Sequence, residues 1–336
     1  MIGRRSFLAS LALGALSGPG VVRGQPGRKL YRVGILGSSI HTASELAGAQ
    51  PKSPFIGALL RGLRELGYVY GEHFVTEIRS AEGKFERFPN LAAELVGLKV
   101  DVIIGPGPAL PALKQATSTI PVVMVGAADP VNQGLVQSLA RPGGNLTGLS
   151  LQLTETTGKR LELLKELAPR PAPVAILWDR LAASGGGPWE AAQSAARQRG
   201  WALVSLDIRG FAGKIEGALK AASDAGAGAL LVHPVALFDQ NAAKIAELAV
   251  RRRLPAIYGL RLYVDAGGLM SYSADILDMF QRAAVFVDKI LKGARPADLP
   301  VEQPTKFDLV VNVKAAKAIG LTIPPSLLSR ANDVLQ

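Results

Sequence analysis

From Tyr31 onward, short runs rich in Val, Ile and Leu alternate with longer stretches whose apolar residues recur every three or four positions. The short runs predict strands at 31–37, 73–79, 101–105, 121–126, 146–151, 173–178, 201–206, 229–233, 255–258, 268–273 and 306–312. Between them, residues 54–66 place Phe55, Leu59, Leu60, Leu63 and Leu66 along one helical stripe. Residues 276–291 repeat the pattern with Ile276, Phe280, Ala284, Val287 and Leu291. Strands that alternate with helices form parallel sheets covered on both faces, so the fold class is α/β. Eleven strands exceed one comfortable sheet, and two doubly wound, Rossmann-like lobes are the economical arrangement. Pro142-Gly143-Gly144 ends the fifth unit, so the chain is expected to enter a second lobe through 146–151. Further crossings are expected at 268–273 and 305–312. One lobe then takes residues 30–148 plus 274–303, and the other 149–273 plus 304–336.

The first 24 residues stand outside this pattern. Arg4-Arg5-Ser6-Phe7-Leu8 has the twin-arginine form, Leu8 to Leu16 is a short apolar run, and Val22-Arg23-Gly24 offers a cleavage point. That run is too short to cross a hydrocarbon core of about 30 Å as a helix. Residues 1–24 are therefore expected to be a removable twin-arginine-like signal peptide, leaving an exported, soluble, periplasmic chain. The 336 residues include no cysteine, which excludes disulfides, thiolate catalysis, Cys-based metal sites and a lipid anchor on an N-terminal Cys. The net charge of +11 admits nucleic acid or anionic membrane as a partner. The basic residues are dispersed, however. Their densest cluster, Arg251-Arg252-Arg253, closes the helical stretch 238–252, where cations meet the carbonyl end of the dipole. A solvated helix end accounts for it, and no nucleic-acid partner is expected.

Catalytic patterns are scarce. His41, His73 and His233 show no HxxxH or HExxH spacing, and Ser150 lacks the second glycine of a Gly-x-Ser-x-Gly elbow. The stretch VIIGPGPALPAL, Val102 to Leu113, carries Gly105 and Gly107, but Leu110 stands where a dinucleotide fingerprint needs its third glycine. No Gly-Lys-Ser/Thr follows it either. No enzyme activity, metal or cofactor is expected.

Three blocks carry a family resemblance: LRELGYVYGEH (63–73), PVVMVGAADPVNQGLVQSLARPGGNLTGLS (121–150), and residues 254–335 with their GGLMSY and QPTKFDLVVN segments. In this order they resemble the ABC-transporter substrate-binding proteins, in particular the tryptophan/tyrosine/phenylalanine-type branch, over essentially the whole mature chain. The resemblance implies a type I periplasmic-binding-protein architecture, two lobes joined by three crossing strands that close on a ligand by hinge motion. It also implies a small-molecule ligand and delivery to a membrane permease with an ATPase subunit. A ligand-sensing module of the same fold, feeding a receptor, remains an alternative, and an exported hydrolase a more distant one.

Ligands of open α/β sheets bind outside the carboxyl ends of the strands, so candidate contacts are the residues that follow each strand. Ser38 and Ser39 follow the first, as hydrogen-bonding groups or as turn caps. Gly107, Pro108 and Ala109 follow the third. Pro108 suits the first position of a helix, and the free N–H groups behind it favour an anion such as a ligand carboxylate. Members of the resembling family often carry Ser or Thr before this proline. Gly107 in its place shifts the expected ligand from an amino acid toward an aromatic or aliphatic acid. Asp129 either pairs with a ligand ammonium or caps a helix from Val131. In the second lobe the candidates are Asp179, Pro234, Phe238, Tyr258, Arg261 and Tyr272. Phe238 and Tyr258 offer faces for stacking or belong to the core. Arg261 clamps a carboxylate or pairs with Asp265. Tyr272 is expected near the hinge.

Overall fold

The computed structural model describes residues 29–38, 41–153, 156–169, 172–180, 187–209 and 212–336. The expected signal peptide lies outside them. The first lobe runs β1 (Tyr31–Gly37), α1 (Ala43–Leu46), α2 (Pro54–Glu65), β2 (Phe74–Ser80), α3 (Phe88–Gly97), β3 (Val102–Pro106), α4 (Leu110–Ala116), β4 (Val122–Ala127) and β5 (Leu146–Ser150). Its five strands are parallel, in the order β2-β1-β3-β4-β5. The second lobe continues with α5 (Thr157–Leu167), β6 (Val174–Trp178), α6 (Gly187–Arg197), β7 (Leu203–Asp207), α7 (Ile215–Asp224) and β8 (Ala229–Val232). After these come α8 (Ala236–Asp239), α9 (Ala242–Arg251), β9 (Ala256–Tyr258), α10 (Leu262–Asp265) and β10 (Met270–Ala274). The chain then forms α11 (Ile276–Leu291), β11 (Phe307–Asn312), α12 (Val313–Ala318), α13 (Pro325–Leu328) and β12 (Asp333–Leu335). The second sheet has the order β12-β11-β10-β9-β8-β6-β7, antiparallel only between β10 and β11.

All eleven expected strands form, their ends within two residues of the expected positions. The twelfth, β12, was not expected. Its three residues show no alternation, and it exists because Asp333, Val334 and Leu335 extend the sheet beside Val310, Val311 and Asn312.

Alternation along the strands sorts the first sheet into two cores. Val33, Ile35, Val102, Ile104, Val123 and Val125 face one side, while Leu36, Ile103, Val122 and Met124 face the other. The first of these cores is closed by α2 and by α11, although the strands flanking α11 belong to the second sheet. Met279, Ala283, Phe286 and Val287 of α11 pack with Ile56, Leu59 and Leu63 of α2. Gly62 permits this approach, since a Cβ there would overlap the Gln281 carbonyl and press on the Ala284 methyl. Each helix is started by a cap: Ser53 Oγ accepts from Ile56 N–H at 3.4 Å, and Asp275 accepts from Asp278 N–H at 2.9 Å.

The chain passes between the lobes three times: from β5 through Leu151–Leu153 to α5, from β10 through Asp275 to α11, and from α11 to β11. The last passage runs beside the first. Ser150 N–H donates to the Glu302 carbonyl at 2.9 Å, and Glu302 N–H to the Gly148 carbonyl at 2.8 Å. Lys306 and Arg282 both reach Asp278, and Arg282 also pairs with Glu302, fastening the third passage to the start of α11.

Candidate functional site

The passages fix how the sheets meet. β5 leaves the first sheet at its carboxyl edge, and α5, which precedes β6, begins at the carboxyl edge of the second. The carboxyl edges of both sheets therefore border the same inter-lobe space. Leu260, just after β9, packs against core clusters of both lobes. Within each sheet the strand order reverses at one point, between β1 and β3 and between β6 and β8, which is where such sheets bind ligands.

In the first lobe, Ser38 is half-buried after β1, and Ser39 lies outside the described residues. Gly107, Pro108 and Ala109 form a 3₁₀ turn after β3, with Ala109 buried. The helix that follows, α4, has only seven residues, so little dipole accumulates at its start. Gly107 lies against β4: a Cβ on it would collide with the Gly126 carbonyl. The side chain absent at 107 is thus excluded by the backbone beside it. Asp129 takes the capping role, but over a turn instead of a helix. Its carboxylate accepts from Asn132 N–H at 3.1 Å and Asn132 Nδ2 at 2.6 Å, and residues 130–134 form turns.

In the second lobe, Phe238 and Tyr258 are fully buried in one core cluster, and Tyr258 stacks on Tyr263 with ring centres 4.8 Å apart. Burial raises the Tyr258 hydroxyl above its ordinary value. Arg261 is exposed and pairs with Asp265 at 3.2 Å and with Asp333 of β12 at 2.8 Å. Asp179 is buried at the end of β6 and has an interaction partner. Pro234 is buried against Gly259. Tyr272 stacks on Phe307 at 5.5 Å, at the mouth of the second and third passages. The structure thus brings Ser38 and Gly107–Ala109 to one switch point and Asp179 and Pro234 to the other. Phe238, Tyr258 and Arg261 are engaged elsewhere.

Sequence reasoning missed Arg160. This residue, in the first turn of α5, is fully buried. Its Nη1 donates to the Leu153 carbonyl at 3.0 Å, its Nη2 to Thr156 Oγ1 at 2.6 Å and its Nε to the Tyr272 carbonyl at 3.0 Å. One guanidinium therefore joins the first passage to the second. Burial lowers its pKa to about 10, so it stays charged. His233, after β8, lies in the same region. Burial, and then the Arg160 charge, lowers its pKa to about 3, and its Nδ1 has no partner among the described residues. The available clue was a charge on an apolar stripe: Arg160 shares its helical face with Thr157, Leu164 and Leu167.

The family model for ABC transporter substrate binding proteins matches residues 54–335. The chain belongs to this family. A "Tyrosine-binding protein" of Clostridioides difficile (strain R20291) is 24% identical over 273 residues, covering 78% of this chain and 75% of that protein. Among solved structures, a conserved domain protein from Vibrio cholerae is 26% identical with a TM-score of 0.77, covering 91% of this chain and all of that one. An ABC domain in complex with L-Trp from Streptococcus pneumonia has the same TM-score and coverage at 24% identity. The fold of this substrate-binding protein is accordingly the type I periplasmic-binding architecture of two α/β lobes. Among the described residues no helix is long and apolar enough to cross a membrane, and no group of three or more His, Asp or Glu could hold a metal ion.

Proposed function

We propose that this protein is an exported, periplasmic solute-binding component of an ABC importer. It captures a small carboxylate-bearing ligand, an amino acid or an aromatic or aliphatic acid, between its lobes and presents it to a membrane permease with an ATPase subunit. The observation that carries this reading is the meeting of two carboxyl sheet edges, each with its own switch point, across three thin passages. Such a joint lets the lobes approach, and the ligand acts by binding the closed arrangement better than the open one. The Tyr-binding and L-Trp-bound relatives support ligands of this size. Proposed contacts are Ser38 and Gly107–Ala109 from the first lobe, and the groups after β6 and β8 from the second. Binding without turnover is the proposed activity.

A thermal-shift screen over amino acids and simple carboxylic acids tests the reading. A ligand at about 100 times its dissociation constant adds roughly 2.7 kcal/mol of stability. Small-angle scattering on the same mixture should show a smaller radius of gyration. A ligand that stabilises without compaction would speak against lobe closure, and product formation would point to the hydrolase alternative.

A further inference from the structure

The end of the first lobe opposite the inter-lobe space carries surface that ligand binding leaves unused. Here β1 and β2 begin, α2 and α11 end, and a cavity of about 290 Å³ lies between them. Tyr31, Leu66, Tyr68 and His73 line it, together with Lys29 and Lys292. The Tyr68 hydroxyl donates to Asp288 at 3.0 Å and the Tyr31 hydroxyl to the Leu291 carbonyl at 3.3 Å. Both hydroxyls are thus spent on α11, and the rings are left as apolar wall. His73 Nδ1 accepts from the Val69 N–H at 2.9 Å, so the ring proton sits on Nε2, a donor with no acceptor among the described residues.

The surroundings of the cavity are apolar and positive at once. Leu30 and Val69 are each 44% exposed and Leu66 40%, among the highest values for large apolar side chains in the described residues. Each is a wall residue or the chain neighbour of one. Lys29 pairs with Asp101 and Lys292 with Asp288, but these lysine side chains are 65% and 69% exposed against 21% and 12% for their carboxylates. Cations therefore stand outside, with their counter-charges beneath. Arg64, near the end of α2, and Lys289, near the end of α11, are exposed and have no ion pair among the described residues. The exposed carboxylates beside them are Glu65, bonded to Gln281, and Glu72.

We propose that this pole seats on the surface of an anionic phospholipid bilayer. Leu66 and Val69 enter the interface, the aromatic-walled cavity takes a headgroup, and Lys29, Arg64, Lys289 and Lys292 meet its phosphates. Surfaces that lie on lipid combine aromatic rings, aliphatic tips and long cations whose stems rest on apolar ground. A free solute in the cavity would leave Leu30 and Val69 in water. Lys29 lines the cavity, so residues 1–28 join the protein at this pole, and the expected signal segment, apolar from Leu8 to Leu16, brings it to a membrane during export. The carboxyl sheet edges lie at the other end, so a seated protein keeps its ligand site clear of lipid.

Vesicle flotation tests this with the chain from Gln25, because the apolar run at 8–16 would itself enter a bilayer. Vesicles of phosphatidylcholine alone are compared with vesicles holding about 30% phosphatidylglycerol. The expected result is flotation with the anionic vesicles, lost in about 0.5 M salt. Since the whole chain is basic, paired substitutions locate the contact. Arg64→Glu with Lys289→Glu should weaken binding at least about tenfold. Lys314→Glu with Lys317→Glu makes the same charge change on α12 of the second lobe and should weaken it less than about threefold. Leu66→Ser with Val69→Ser should weaken it about tenfold at unchanged charge. All three pairs are exposed and should keep the wild-type melting temperature. No flotation with anionic vesicles overturns the inference and assigns the patch to a protein partner. An equal loss in the Lys314 and Lys317 pair would show net charge at work and overturns it too, as does an apolar pair that binds like the wild type. None of these outcomes touches ligand binding between the lobes, which the thermal-shift screen decides separately.

Discussion

Arg160 Nε donates to the Tyr272 carbonyl at 3.0 Å, so a side chain of α5 holds the backbone where the second passage leaves its sheet. The same guanidinium holds Leu153, in the first passage. The first and second passages are therefore fastened together by one buried guanidinium.

Replacing Arg160 with Ala should take the guanidinium donor from the Tyr272 carbonyl and leave the Leu153 carbonyl to the hydroxyls of Thr156 and Thr157. A buried unsatisfied group costs about 1–3 kcal/mol. The expected loss of unfolding free energy in urea lies in that range, with Arg160→Lys recovering part of it. An unchanged midpoint would show that water replaces the guanidinium.

A serine at 107 would place a hydroxyl just before Pro108, yet the Gly126 carbonyl occupies the place its Cβ needs. Gly107→Ser should destabilise the first lobe by about 1–3 kcal/mol, the range for overpacking, and should not raise affinity for amino acids. A rise in amino-acid affinity at wild-type stability would refute the steric account.

Gly62 faces the Gln281 carbonyl and the Ala284 methyl across the α2–α11 contact. Gly62→Val should force these helices apart and lower the melting temperature. At about 1–3 kcal/mol the shift is a few degrees for a chain of this size. Gly57, half-buried on the same helix but with nothing within 4 Å of an added Cβ, serves as the control and should tolerate Ala without loss.

His233 is neutral in the folded protein because burial and then the Arg160 charge press its pKa to about 3, against an ordinary 6.5. A depressed folded value means that the unfolded chain takes up the proton first. Stability should be full above pH 6.5 and fall as the pH drops toward 3, by at most roughly 4–5 kcal/mol at 1.36 kcal/mol per unit. Asp239 acts in the opposite sense. Burial raises it to about 7 from 3.8, so its contribution is full below pH 3.8 and lost as the pH rises through 7. Melting temperatures between pH 3 and 8 should flatten on the acid side in His233→Gln and on the neutral side in Asp239→Asn.

The fold was legible because its periodicities are local. Strand runs such as VIIGP and VVMVGA are buried on both faces, and the stripes of α2 and α11 announce their apolar sides. β12 was invisible because its partner lies about twenty residues away and three residues carry no period. The site was less legible for the same reason. Tyr258 and Arg261 occupy the right edge, but rotation into the core claims the first and Asp333, a residue of the unexpected strand, claims the second. Arg160 looked like any cation in TGKRLELLKEL, because its meaning comes from Tyr272, more than a hundred residues later.

The placement of α11 also sets an order of events during synthesis. Residues up to Ser150 supply every strand of the first sheet, yet one face of its core stays open until Met279, Phe286 and Val287 have left the ribosome. By then β6 to β10 are already available to pair. The lobe encoded first is thus the one completed last, and a chain stopped short of α11 would carry an apolar sheet face covered only by α2, the kind of partly open surface that chaperones and proteases recognise.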